Sequence, residues 1–304
     1  MTAVGRRRLL VGSAGVLGAA GAVGAGLALA GEGPAPPPQR VPTALRADAA
    51  TDAVSSVEWV RSAARGRSVR LVLVAPPGAD RRTLPVCAGL HGLGGNATWW
   101  SDPGTRRTLG AAWAAGTPPY VIAALDGGDN YWHPFRAADD PMRMLLDELP
   151  GWLVARGVGT AAAGVPALVS GVSMGGAGSL MYARERVHRG APVRAVAALS
   201  PGLFTDWRVA RRRPFAGEAD WAANDPLRFA GELAGVPLGV WCGDRDTFVD
   251  ATRRFMAIAR PEVASVGPGR HDGAYYARVL PQVVRFLGDH LRAAAPSRPA
   301  VPTG

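Results

Sequence analysis

Val165-Pro-Ala-Leu-Val-Ser-Gly171-Val172-Ser173-Met174-Gly175-Gly176 decides the reading of this chain. An apolar run of strand length leads directly into Gly-x-Ser-x-Gly, and a helical pattern follows from Ala177. A serine between a buried strand and a helix must occupy a sharp turn if its hydroxyl is to project above a sheet. Side chains two residues before and two after it would collide in that turn, so both positions call for glycine, and Gly171 and Gly175 fill them. This predicts a parallel sheet flanked by helices, with Ser173 exposed at the end of one central strand.

The rest of the chain fits that prediction. Ser56–Ala63 and Ser68–Ala75, separated by a turn around Arg65-Gly66-Arg67, read as an antiparallel hairpin. Strands are then expected at Leu84–Leu90, Tyr120–Leu125, Ala167–Val172, Val193–Leu199, Pro237–Cys242 and Glu262–Val266, with helical patterns between them. Asp140-Pro141 and Asp225-Pro226 are N-cap and first-turn signals for two helices. A last helix is expected from about Gly273 to Leu291, kinked or divided at Pro281.

A serine hydroxyl is a weak nucleophile at neutral pH, so it needs a base, and the base needs an orienting acid. With a strand–serine–helix turn of this kind the order along the chain is serine, acid, histidine. Of the five histidines, His271 and His290 follow Ser173 with room for an acid before them. His290 belongs to the end of the closing helix, whereas His271 stands in the glycine-rich loop Gly267-Pro-Gly-Arg-His271-Asp-Gly273. Loops at the carboxyl ends of strands are where an open α/β sheet presents its site, which makes His271 the base. Gly243-Asp244-Arg245-Asp246 offers two acids, and the Gly-x-x-Asp turn favours Asp246, leaving Asp244 as a turn-capping residue. For the oxyanion of acyl transfer, the Met174 amide is one donor. The second is expected from His91-Gly92-Leu93-Gly94-Gly95, at Leu93, with Gly94 as second choice.

With these motifs and His271-Asp-Gly-Ala-Tyr-Tyr276 in place, the chain resembles the putative-esterase branch of the α/β-hydrolases, over most of residues 68–292. That branch holds esterase D-type enzymes, feruloyl and acetyl-xylan esterases and secreted mycolyltransferases. The resemblance implies an α/β-hydrolase fold: a mostly parallel central sheet with an N-terminal antiparallel hairpin and helices on both faces. It implies Ser173 as nucleophile, Asp246 as acid, His271 as base, Leu93 and Met174 as oxyanion donors, and a structural role for His91. The acid is the loosest end of the match, because the family uses Glu or Asp there.

Trp99, Trp100, Tyr131 and Trp132 fall in loops that should rim the site, where they would contact substrate or bury their own area as lid residues. Arg208, Arg211, Arg212 and Arg213 lie in a long loop and read as a solvated face. Cys87 and Cys242 are expected on strands with two others between them, hence as buried free thiols. No spacing suggests a metal, and the glycines of residues 12–26 precede no strand, so no cofactor is expected.

Lysine is absent from the 304 residues, so the formal charge of +10 is carried by arginine. The basic clusters are short and lack interleaved aromatics, which argues against nucleic acid as a partner. Arg6-Arg7-Arg8 precedes 22 uncharged residues ending in Ala28-Leu29-Ala30, a pattern that resembles a twin-arginine signal peptide over residues 1–30. Thirteen of those 22 are Gly or Ala, which disfavours the alternative of a membrane span. Cleavage would remove three arginines and no acid, leaving a charge of +7. A Pro-rich linker (31–47), a catalytic domain (48–292) and a disordered tail (293–304) follow. The expectation is a secreted or cell-envelope monomer that hydrolyses carboxylic esters of small molecules or envelope polysaccharides. The alternatives are acyl transfer to a sugar or polyol, and a non-catalytic envelope-binding protein.

Overall fold

The computed structural model describes residues 52–136 and 138–292. The expected signal segment, linker and tail, and the first residues of the expected catalytic domain, therefore lie outside the described residues. Eight strands form one sheet: β1 (Val54–Ser62), β2 (Arg67–Ala75), β3 (Val86–Leu90), β4 (Val121–Leu125), β5 (Leu168–Val172), β6 (Ala195–Leu199), β7 (Leu238–Gly243) and β8 (Val263–Gly267). Their order across the sheet is β1-β2-β4-β3-β5-β6-β7-β8. β1 and β2 form the expected hairpin, β2 meets β4 antiparallel, and every further pair is parallel.

The central strands are short and wholly apolar or small because both their faces are covered. Along β4, Val121, Ala123 and Leu125 face one apolar cluster while Ile122 and Ala124 face the other. Helices α1 (Pro103–Ala114) and α4 (Gly273–Asp289) pack on one side, contributing Leu109, Val279, Val283 and Leu287. Helices α2 (Met174–His188) and α3 (Val249–Ala259) close the other, with Leu180, Ala183 and Phe255. Parallel pairing puts the carboxyl ends of β3 to β8 along one edge. The loops carrying Leu93, Ser173, Asp246 and His271 all leave from that edge.

Two local expectations are corrected. Helix α4 is not divided at Pro281 but continues through it. Both Pro281 and Ala277, whose carbonyl loses its N–H partner, lie on the exposed face, where water can take the freed acceptor. Asp225-Pro226 opens a turn rather than a helix, followed by the short 3-10 segment Ala230–Leu233. Asp225 accepts a hydrogen bond from the Leu227 amide at 3.1 Å and is only 4 % exposed.

Burial pushes the Asp225 carboxyl up to about 6, against the opposing pull of the Leu227 amide and Arg228. Between the unfolded value of about 4 and this native value the folded chain binds more protons, so stability falls as pH rises through that window. Asp225→Asn keeps an acceptor for Leu227 and removes the buried charge. It should raise unfolding free energy at pH 7 by up to about 2 kcal/mol and flatten the pH dependence between about 4 and 6. Denaturant melts at pH 4.5 and 7 check this, and equal stability of variant and parent at both would contradict it.

Asp140 does cap a helix, accepting from the Arg143 amide at 2.9 Å. One turn on, at Met144–Glu148, the helix widens to i→i+5 bonding. There Glu148 reaches the hairpin turn and accepts from Ser62 Oγ at 2.5 Å and from the Ala63 and Ala64 amides at 2.9 Å. Cys87 on β3 and Cys242 on β7 are buried and free, with β5 and β6 between them.

Candidate active site

Ser173 sits at φ 57° and ψ −119°, outside the regions open to most L-residues. Two hydrogen bonds hold it there: its amide donates to Leu199 O at 2.8 Å, and the Gly202 amide donates to its carbonyl at 2.8 Å. The glycines meet the steric requirement read from the sequence. A Cβ on Gly171 would lie 2.0 Å from Gly175 O, and one on Gly175 would lie 2.2 Å from Leu90 O. Both obstacles are backbone atoms, which cannot swing aside.

The structure brings the three chain-distant groups together. His271 Nε2 lies 2.8 Å from Ser173 Oγ, and His271 Nδ1 lies 2.8 Å from Asp246 Oδ2. The carboxylate accepts from Nδ1–H, which leaves Nε2 as the acceptor for the serine proton. Asp246 is buried, which alone would raise its pKa, yet hydrogen bonds from His271 and the Phe248 amide hold it below the ordinary carboxylate value. Asp244 is exposed, and its Oδ1 accepts from the Gly269 amide at 3.0 Å. It ties the loop of Asp246 to the loop of His271 without touching the imidazole. His290 lies elsewhere, at the end of α4, with Nε2 at 3.0 Å from Glu262.

Among the described residues the amides of Leu93 and Met174 have no hydrogen-bond acceptor. Met174 opens α2, so its N–H points out of the first turn beside the Ser173 hydroxyl. The Leu93 loop lies against it: a Cβ on Gly92 would meet Ser173 Cβ at 3.3 Å. The Gly94 amide is committed elsewhere, donating to Asp129 Oδ1 at 2.7 Å, so the second-choice donor drops out. His91 is buried, and burial holds its pKa down. Its Nε2 accepts from the Gly127 amide at 2.9 Å while Nδ1 bonds Gly92 O at 2.8 Å. A neutral ring with its proton on Nδ1 satisfies both contacts and braces the loop.

The four aromatics divide. Trp132 is fully buried and donates from Nε1 to His91 O at 3.2 Å, and Trp100 is buried against the sheet. Neither is available to a substrate, which corrects the rim assignment for both. They cover the strand ends they follow. Tyr131 is buried too, but its ring stands at the elbow, beside the position of Gly202 that adjoins Met174. Trp99 remains partly exposed and, with Asp102, Thr105, Tyr276 and Leu280, lines a cleft of about 440 Å³.

Other rings at the site were not singled out by sequence. Phe248 and Tyr276 pack edge-on against His271, at 5.0 and 5.7 Å between centroids. Phe204 joins Phe248 to Tyr131 at 5.6 Å from each. The Tyr-Tyr pair after His271 was the one available signal. Arg208, Arg211 and Arg212 are exposed, while Arg213 folds back over the Phe204 ring at 6.0 Å.

No curated protein sequence matches the chain. Solved structures do. A ferulic acid esterase superposes with a TM-score of 0.65 at 18 % identity, covering 79 % of this chain and 98 % of its own. The S-formylglutathione hydrolase of Agrobacterium tumefaciens gives 0.63 at 16 % identity, covering 79 % and 96 %. MPT51 of Mycobacterium tuberculosis gives 0.63 at 17 % identity, covering 79 % and 99 %. At such identities these likenesses establish the α/β-hydrolase fold. The family model described as putative esterase matches residues 62–260, a span holding Ser173, Asp246 and the Leu93 loop. The chain is therefore a member of the putative esterase family and, with it, a carboxylic ester hydrolase.

Proposed function

We propose that the chain cleaves esters through an acyl-enzyme on Ser173, with His271 as general base and Asp246 as its orienting acid. The observation that carries this reading is the relay of two 2.8 Å contacts from Ser173 Oγ through His271 to Asp246, built on a strained turn. Ser173 Oγ attacks the ester carbonyl as its proton passes to His271 Nε2. The tetrahedral oxyanion is held by the Leu93 and Met174 amides, each donor lowering the barrier by about 3–4 kcal/mol. Collapse expels the alcohol, which takes the proton from His271, and leaves the acyl group on Ser173. A water deprotonated by the same imidazole attacks the acyl carbonyl, and Ser173 recovers its proton as the acid departs. Asp246 stays ionised throughout and stabilises the imidazolium.

The experiment is hydrolysis of short and medium p-nitrophenyl esters by the chain and by Ser173→Ala. Activity in the first and its loss in the second are expected; equal turnover by both would end the reading. The choice of acid is tested separately. Asp246→Asn should lower kcat by about 10⁴-fold through the wrong imidazole tautomer. Asp244→Asn should cost no more than about tenfold, because it touches only the supporting loop. The reverse ranking would transfer the role to Asp244. Export through the arginine-paired segment at residues 1–30 belongs to the same reading. Fractionation of cells making the full chain and a variant with Arg7 and Arg8 both changed to Lys would check it.

A further inference from the structure

The turn of the β1–β2 hairpin lies beside the carboxyl end of β4, because Leu71 pairs antiparallel with Leu125. It carries a buried cation. The Arg65 side chain is 0 % exposed; Nε donates to Asp139 and Nη1 to Asp126 O at 2.7 Å. Its Nη2 is shielded from solvent and has no acceptor among the described residues. Arg67 Nη2 lies 3.4 Å from the other oxygen of Asp139, so two guanidiniums share one carboxylate. Both Nη2 atoms converge on Gly128, at 2.9 and 3.1 Å from where a side chain there would begin. Asn130 is 8 % exposed, and neither Oδ1 nor Nδ2 of its amide has a partner among the described residues. A pocket of about 370 Å³ opens between these groups, walled also by Phe135, Arg136 and Pro214. Its second carboxylate, Asp129, is occupied by the Gly94 amide.

We propose that this pocket is a subsite for an anionic group of the substrate, a carboxylate or a phosphate monoester, held by Arg65, Arg67 and Asn130. Each buried donor without a partner costs about 1–3 kcal/mol, a cost that an acceptor in the pocket removes. A neutral hydroxyl would satisfy one donor but not the surplus of positive charge. A planar or tetrahedral oxyanion also matches the guanidinium fork. Gly128 leaves free of any side chain the point where the two Nη2 atoms meet, so only a small shift of the Arg65 fork is needed to present it to a bound oxyanion. The pocket is coupled to the reacting centre by a short segment. Asp129 holds the loop of the Leu93 amide, Asn130 lines the pocket, and Tyr131 stands against the elbow. An ester reaching both places carries its anionic group several bonds from the scissile carbonyl. The reaction side of this proposal rests on the Ser173 reading, whereas the binding side does not.

Two measurements test it. The first compares kcat/KM for p-nitrophenyl esters of dicarboxylic acids, from succinate upward, with neutral acyl chains of equal length, alongside a matching series ending in phosphate. At the best length the charged ester should be preferred by about tenfold or more, the worth of one charge-assisted hydrogen bond. That ratio should fall towards one in Arg67→Gln and in Asn130→Leu. Which series wins tells carboxylate from phosphate. Arg67 is the primary variant because it is half exposed, and an unchanged denaturation midpoint shows that it folds. The second titrates inorganic phosphate into Ser173→Ala calorimetrically; saturable binding is expected, weakened at least tenfold by adding Arg67→Gln. Absence of saturable binding, or a charge preference that neither variant alters, overturns the proposal. If no ester is cleaved at all, the Ser173 reading fails and the titration alone decides the subsite.

Discussion

Ser173→Ala will lower kcat for p-nitrophenyl ester hydrolysis by roughly 10⁵- to 10⁶-fold while the protein stays folded. The size of the effect follows from the role of the other residues. In the proposed relay His271 and Asp246 act only by moving the Ser173 proton, so without the hydroxyl their contributions vanish together with it. On the same reading, what survives is binding and the two proposed oxyanion donors, which can still assist a water molecule. Because Ser173 makes no capping bond with its side chain, the unfolding free energy should change by less than about 1 kcal/mol. Active-site titration and steady-state kinetics on the purified chain measure the loss. A reduction smaller than about 100-fold would mean that the hydroxyl is not the nucleophile.

The second large effect is on folding. Gly175→Ala would place a Cβ 2.2 Å from Leu90 O and 2.6 Å from His91 O, against the backbone of the central strand β3. No rotamer change relieves a backbone contact, so α2 must move off the sheet or the elbow must open. Destabilisation beyond about 4 kcal/mol is expected, at the extreme of single substitutions. Gly151 offers the contrast within the same molecule. A Cβ there meets nothing within 4 Å, the residue is exposed in the helix Leu149–Val154, and alanine should stabilise by about 0.5–1 kcal/mol. Chemical denaturation of the two variants side by side checks both signs. A Gly175→Ala protein as stable as its parent would show that the turn is looser than it stands here.

The legibility of the site in the sequence follows the range of the forces involved. The elbow could be read because its constraint is local: five residues must turn so tightly that two of them have room only for hydrogen. The Gly-x-x-Asp turn favoured Asp246 on similar grounds, since two further residues let the carboxylate point back from the strand end. Rings gave no such signal. Trp132 stands in a turn and Trp99 in the short 3-10 segment Ala97–Ser101, and whether a ring faces inward depends on partners such as His91 O that are remote in sequence. Asp225-Pro226 has the chemistry of a helix start, but the stretch between it and β7 is short, and a turn with a 3-10 segment satisfied it instead. Arg65 carries no signal of its own in the sequence, because its significance is assembled from Asp126, Gly128 and Asp139, more than sixty residues away. The fold itself was written in short apolar strands bounded by turns, a signal that every strand repeats.

The separation of Cys87 from Cys242 has a consequence for where the molecule can live. Two intervening strands, at about 4.8 Å each step, put the two sulfurs beyond the reach of any disulfide. Burial also pushes the Cys242 thiol up to about 12, so it holds its proton and makes a poor target for oxidants at neutral pH. The described fold is held by packing and hydrogen bonds, with no cross-link to be made or broken. The described domain is accordingly the same on either side of a redox boundary, and crossing one demands no disulfide chemistry of it.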